Sequence, residues 1–130
     1  MQPRSRFRFQ RRCRLRTARD FERVFKRAQR SSGKALTVLA RRSGRRSARL
    51  GLAIPRRQIR RAVERNRIKR LIRESFRYHQ PLLRGLDIVV IGRSALLGKD
   101  TQGIFRCLEK HWQQVSARCR EADPQEKDRD

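Results

Sequence analysis

The 130-residue sequence predicts one α+β domain, an α/β sandwich with a small central sheet and three helices in the order helix-strand-strand-helix-strand-helix. Three observations carry that expectation. Apolar residues recur at helical spacing in three separate stretches. Short apolar or β-branched runs stand between them. The length is that of one ordinary domain, and 36% hydrophobic residues suffice for a small core.

Residues 1–12 read as a disordered basic arm in which Phe7 and Phe9 interrupt a series of arginines, either a solvated tail or a segment that orders against RNA. The domain proper is expected over 13–118. Thr17 can cap the first helix with Asp20 three residues on, and Phe21, Val24, Phe25 and Ala28 then repeat at helical spacing, giving a helix over about 18–29. Ser31-Ser32-Gly33 ends it. Leu36 to Ala40 is apolar and partly β-branched, the first strand. A basic loop follows from Arg41 to Arg49. Leu50, Leu52 and Ile54 alternate with Gly51 and Ala53 as the second strand, closed by Pro55. A hairpin is the simplest connection between these two strands.

The second helix is expected from about Ile59 to Tyr78. Ile68, Leu71, Ile72, Ser75 and Phe76 share one face, with Arg67, Lys69, Arg70, Arg73 and Arg77 spread over the other. Ile59, Ala62 and Val63 fall out of that phase, so either the helix starts later or its early turns pack against another element. Pro81 and Gly85 bracket a turn. Leu86 to Gly92 is a near-continuous apolar run, the pattern of a strand covered on both faces. Asp100-Thr101 opens a last helix with an apolar stripe of Ile104, Phe105, Leu108, Trp112 and Val115. Residues 119–130, acidic from Glu121 onward, read as a disordered tail.

Charge narrows the function. The formal net charge is +25 and the pI about 11.9, so the folded chain repels itself and suits a polyanionic partner, above all nucleic acid. Of the 37 basic residues 31 are Arg, whose planar fork grips phosphates; part of that excess is also compatible with genome composition. Between Arg41 and Arg73 stand 14 basic residues and one acid, Glu64, so in-chain carboxylates cannot pair them and phosphates are the natural counter-ions. Asn66 is the polar outlier among them. It offers a donor and an acceptor to a base edge or 2′-hydroxyl, or bonds locally to backbone near a helix start. Phe21 and Phe25 lie one turn apart, and periodicity favours a core role over stacking of single-stranded bases.

Other chemistry finds no support. Cys13, Cys107 and Cys119 form no metal or redox spacing and fit a reducing cytosol. No Gly-rich phosphate loop or zinc-protease motif occurs, His79 and His111 read as structural or solvent-facing, and the acids of residues 1–120 are scattered rather than convergent. No apolar run approaches the ~20 residues of a membrane span. The amino terminus resembles a transit peptide in charge only. A helix-turn-helix reading fails because a strand and Pro55 precede the basic helix.

An ordered set of motifs now carries a likeness. Asp20-Phe21-x-x-Val24-Phe25 is followed by Leu50-Gly51-Leu52, by Ala62-Val63-Glu64-Arg65-Asn66-Arg67-Ile68-Lys69-Arg70, and by Asp87-Ile88-Val89-Val90. Over about Arg14 to Val115 the chain resembles the protein subunit of bacterial ribonuclease P. The resemblance implies a small subunit that helps a catalytic RNA remove the 5′ leader from precursor tRNA, with hydrolysis carried out by the RNA and its bound Mg2+, and with no catalytic residue in the protein. It implies that Arg65, Asn66, Arg67, Lys69, Arg70 and Arg73 face the RNA subunit. Phe21 and Phe25 would form the leader cleft, which reverses the core reading for partial exposure. Leu39, at a position where some relatives carry an aromatic, and Arg56 and Arg57, where relatives often carry lysines, would join that cleft. It also implies a left-handed β-α-β crossover where the general rule gives a right-handed one. The partners implied are the ribonuclease P RNA and precursor tRNA, in the cytoplasm, with neither membrane nor small-molecule substrate. A structural RNA-binding protein, such as a ribosomal protein, shares the size, charge and lack of catalytic groups, and is separated by indifference to a 5′ leader.

Overall fold

Thr17 opens the first helix with a reciprocal cap. Its hydroxyl accepts from the backbone N–H of Asp20 at 3.1 Å, and the Asp20 carboxylate accepts from the Thr17 N–H at 3.3 Å. This helix, α1 (Ala18–Lys26), is the first element of a computed structural model that describes residues 14–15 and 17–129, with side chains described as far as residue 122. The arm expected at residues 1–12 lies outside the described residues.

The chain continues through β1 (Gln29–Ser32), β2 (Leu36–Arg42), β3 (Arg49–Ala53), α2 (Ala62–Tyr78), a short α3 (Gln80–Leu83), β4 (Leu86–Gly92), a 3-10 turn (Ser94–Gly98) and α4 (Thr101–Arg129). The mixed α and β class is as expected, with corrections in detail. The four strands lie in the order β1-β2-β4-β3. β2 and β3 therefore form no hairpin: β4 sits between them, antiparallel to β2 and parallel to β3. The basic loop is thus a sheet-crossing connection, and β3-α2-β4 is a parallel β-α-β unit. The first helix stops at Lys26, because the residues from Gln29 pair with β2 instead. β1 was illegible as a strand because Gln29-Arg30-Ser31-Ser32 has no apolar alternation. Buried Ser31 compensates by hydrogen bonding across to α4: its hydroxyl meets His111 Nδ1 at 2.7 Å and donates to Gln114 Oε1.

The strands bury both faces, as the β4 run implied. Ile88 and Val90 of β4, with Leu36, Val38 and Ala40 of β2, pack under α2, α3 and α4. Val89 and Leu39 point the other way, into a smaller cluster with Val24 of α1 and Leu15. Three layers result: α1, the sheet, and the remaining helices. Across the third layer Trp112 of α4 donates to Ser75 Oγ of α2 at 2.9 Å and meets Phe76 edge-on, with ring centroids 6.2 Å apart. These contacts fix the rotation of α2 and leave its opposite side outward.

α4 runs past the expected boundary at residue 118 to Arg129. Cys119 is buried in this helix, its thiol 3.8 Å from the carbonyl of Ala40, so the apolar stripe reaches beyond Val115.

Candidate nucleic-acid interface

The basic helix begins at Ala62, not Ile59, which resolves the phase break in the sequence. Ile59 is buried in the preceding turn, whose Gln58 and Ile59 N–H groups both donate to the Pro55 carbonyl. Val63 faces solvent. Ile68, Ile72, Ser75 and Phe76 then bury one face of α2.

The six α2 residues expected to meet RNA divide into three groups. Asn66 and Arg70 stand on the exposed surface of α2. Lys69 and Arg73, half-buried, turn to the side and line a groove. Arg65 and Arg67 are engaged with the protein. The Arg65 guanidinium donates to the carbonyls of Ile59 and Arg60 at 2.9 and 2.8 Å, and that of Arg67 to Thr101 Oγ1 at 3.4 Å.

The groove lies at the outer edge of the sheet, along β3. Its walls are Lys69 and Arg73 of α2 and Phe21 of α1; its base is Leu50, Gly51 and Leu52 of β3. Arg14 and Leu15 complete it, because the segment before α1 runs parallel to β3 there, with the Leu15 N–H donating to the Leu50 carbonyl at 3.0 Å. Gly51 makes the arrangement possible: a Cβ there would lie 2.6 Å from two carbons of the Phe21 ring. Gly within a strand marks such close approaches, and this was the available sequence signal. Partial burial and, secondarily, the nearby charge of Arg14 lower the Arg73 pKa from the usual guanidinium value. Arg73 stays protonated nonetheless, so an anion in the groove relieves the repulsion between two fixed cations.

The leader-cleft candidates are placed unequally. Phe21 is half-buried over Gly51 and Phe25 is 49% exposed, so both keep ring surface outside the core. Leu39 is 1% exposed beneath α1, packed in the smaller core cluster, and has no side-chain surface left for a base, a correction to its expected role. The local reason is the register, which sets Leu39 beside Val89 in the second core. Arg56 and Arg57 are exposed in the turn beyond β3. That turn is pinned to the 3-10 segment by Gln58 Oε1, which accepts from the Ser94 N–H at 3.0 Å. On the same sheet face Thr37, Ile91 and Ala53 stand in register, and Arg93 donates to Thr37 Oγ1 at 2.7 Å.

A buried ion pair that the sequence reading missed orders this region. Arg49 of β3 and Asp87 of β4 are direct parallel partners and share two hydrogen bonds, 2.8 and 2.7 Å. Asp20, already holding the α1 cap, lies 3.8 Å from the same guanidinium. Hydrogen bonding to Asp87 raises the Arg49 pKa against the cost of burial. The signal was Asp87 itself, a carboxylate within an apolar strand, which needs a partner when buried. Among the described residues, no group of three or more His, Cys, Asp or Glu is placed to hold a metal ion, and no helix is long and apolar enough to cross a membrane.

The family model described as Ribonuclease P matches residues 9–116. The chain belongs to the ribonuclease P protein family. The ribonuclease P protein component of Methylococcus capsulatus is 49% identical over 111 residues, covering 85% of this chain and 87% of the relative. That of Nitrosococcus oceani is 43% identical over 113 residues, covering 87% and 95%. Among solved structures, the RNase P protein of Staphylococcus aureus superposes with a TM-score of 0.72 at 29% identity, covering 78% of this chain and 93% of that one. The RNase P protein of Thermotoga maritima gives 0.68 at 33% identity, covering 77% and 96%. The likeness read from the motifs is thereby established, and so is the fold of a ribonuclease P protein.

Proposed function

We propose that this protein is the small subunit of a cytoplasmic ribonucleoprotein endonuclease that removes the 5′ leader of precursor tRNA. Its α2 surface binds the RNA subunit through Asn66 and Arg70, with Lys69 and Arg73 at the edge of the contact. Arg65 and Arg67 contribute through what their hydrogen bonds leave available and by holding the helix start and its junction with α4. The groove and the adjoining sheet face take the single-stranded leader. Phe21 and Phe25 present ring surface to bases, Arg56 and Arg57 present charge to phosphates, and Leu39 packs beneath α1.

The observation that carries this reading is the shared wall: Phe21 from α1 and Lys69 and Arg73 from α2 line one groove. Stacking surface beside phosphate-binding cations is the combination that binds single strands with little sequence preference. The protein acts by neutralising repulsion between two RNAs and by fixing where the leader runs. Magnesium supports the hydrolysis from sites on the RNA, in keeping with scattered acids in the protein, and no step passes through a protein-bound metal.

The test is leader discrimination. With the protein assembled on a bacterial ribonuclease P RNA, Phe25→Ala should weaken binding of a precursor tRNA by about 1–3 kcal/mol for each stacked base lost. Binding of mature tRNA should be unchanged. An equal loss for precursor and mature tRNA would remove the leader from Phe25.

A further inference from the structure

The two carboxylate oxygens of Asp20 have different partners. Oδ2 accepts from the Thr17 N–H at 3.3 Å and closes the α1 cap, while Oδ1 lies 3.8 Å from Nη1 of Arg49. The cap needs only the first of these contacts. Arg49 is committed on its other side, where Nε and Nη2 donate to Asp87 of β4. Its guanidinium therefore bridges β4 to the first turn of α1. The Arg49 and Asp20 side chains are 9% and 18% exposed, and solvent screens a pair so placed only weakly.

Phe21 follows Asp20 on α1, and Gly51 stands two residues beyond Arg49 on β3. Residues two apart on a strand share a face. Asp20 thus meets Arg49 beside the place where Phe21 meets Gly51, and α1 touches β3 at two adjacent points. The ring contact sets a distance but supplies no directional bond. Farther along, Val24 is buried with Leu39 and Val89, and the Arg23 carbonyl accepts from Arg41 at 3.0 Å. α1 has only nine residues, so these few contacts decide its rotation.

By charge alone, an acid next to a groove lined by Arg14, Lys69 and Arg73 opposes the entry of phosphates. Asp20 is not among the residues lining that groove, whereas Phe21 is. We propose that Asp20 is a positioning residue for the leader. Through Arg49 it fixes the rotation of α1, and that rotation keeps the Phe21 ring in the groove that Lys69 and Arg73 also line. Asp20 acts through Phe21 and not by touching RNA. This rests on the leader reading above.

The experiment titrates precursor tRNA with a 5′ leader, and mature tRNA, against the full-length protein assembled on a bacterial ribonuclease P RNA. Asp20→Asn keeps an acceptor for the Thr17 N–H and removes the charge that Arg49 meets. Positioning and charge predict opposite signs. Loss of a negative charge tightens binding to any RNA, whereas a displaced Phe21 weakens binding of the precursor alone. Asp20→Asn should weaken precursor binding by about fivefold, the low end of the loss of one stacked base. Affinity for mature tRNA and for the RNA subunit should stay at or above the parental value, which also shows that the variant is folded. In a Phe21→Ala background the same change should cause no further loss. Parental or tighter precursor binding by Asp20→Asn would overturn the positioning role. So would an equal loss with and without the Phe21 ring, or an equal loss for precursor and mature tRNA. A parent holoenzyme that binds precursor and mature tRNA alike would overturn the leader reading itself, and this role with it.

Discussion

The Phe21 ring occupies the space above Gly51 so closely that a Cβ on Gly51 would come within 2.6 Å of Cε1 and Cζ. One glycine in an edge strand therefore sets the height of the aromatic wall of the groove between α1, α2 and β3. Gly51→Ala must displace Phe21, at a cost of about 1–3 kcal/mol by overpacking. Urea unfolding should register that loss, and precursor affinity should fall while RNA-subunit affinity holds. A variant with parental stability and precursor affinity would show that the ring position is immaterial.

Arg49 and Asp87 form a nearly buried pair, with side chains 9% and 7% exposed. Removing one partner leaves the other as an uncompensated buried charge, so Arg49→Met or Asp87→Leu alone should destabilise by about 3–5 kcal/mol. The double variant Arg49→Met/Asp87→Leu should recover most of that loss in denaturant titrations. A double variant as unstable as the singles added together would argue that the two residues act independently.

Much of this was legible in the sequence. The apolar face of α2 and the doubly covered strand β4 follow from periodicity, because both elements bury faces wide enough to leave a pattern. The strand order was not legible, since β4 enters between β2 and β3 from 33 residues beyond the end of β3 and no local signal marks that register. β1 was hidden because its one buried residue, Ser31, is polar and is satisfied by α4 rather than by an apolar core. Within the candidate interface, residue types pointed to RNA. Which arginines keep their guanidinium groups for it depended on the carbonyls of Ile59 and Arg60, freed by a helix start that composition does not fix.

That division separates Arg65 from Arg70. Arg70→Ala should lower the salt slope of RNA-subunit binding by roughly one and change stability by no more than about 0.5 kcal/mol. Arg65→Ala should cost about 1–3 kcal/mol of stability through its two carbonyl bonds. Thermal unfolding beside salt-dependent binding distinguishes the two; equal stability loss in both variants would contradict the assignment.

His111 links α4 to β1 through Ser31, and burial, aided by the charge of Lys110, lowers its pKa from the usual histidine value; the Ser31 contact opposes this in part, and Arg118 adds to it. The folded protein then binds fewer protons there than the unfolded chain, so the contribution is fully present above the unfolded pKa of about 6.5 and is lost as pH falls from there toward the folded value. Stability measured between pH 7 and pH 5 should decline, and His111→Gln should flatten that decline. An identical pH profile in the variant would assign the acid sensitivity elsewhere.

The most direct measurement adds the purified protein to a bacterial ribonuclease P RNA at low magnesium and follows cleavage of a precursor tRNA carrying a 5′ leader. The expected result is stimulated cleavage at the mature 5′ end that requires the RNA and weakens with Phe25→Ala and Arg70→Ala. Binding to RNAs of every kind without stimulated cleavage would contradict it and leave a structural RNA-binding protein in its place.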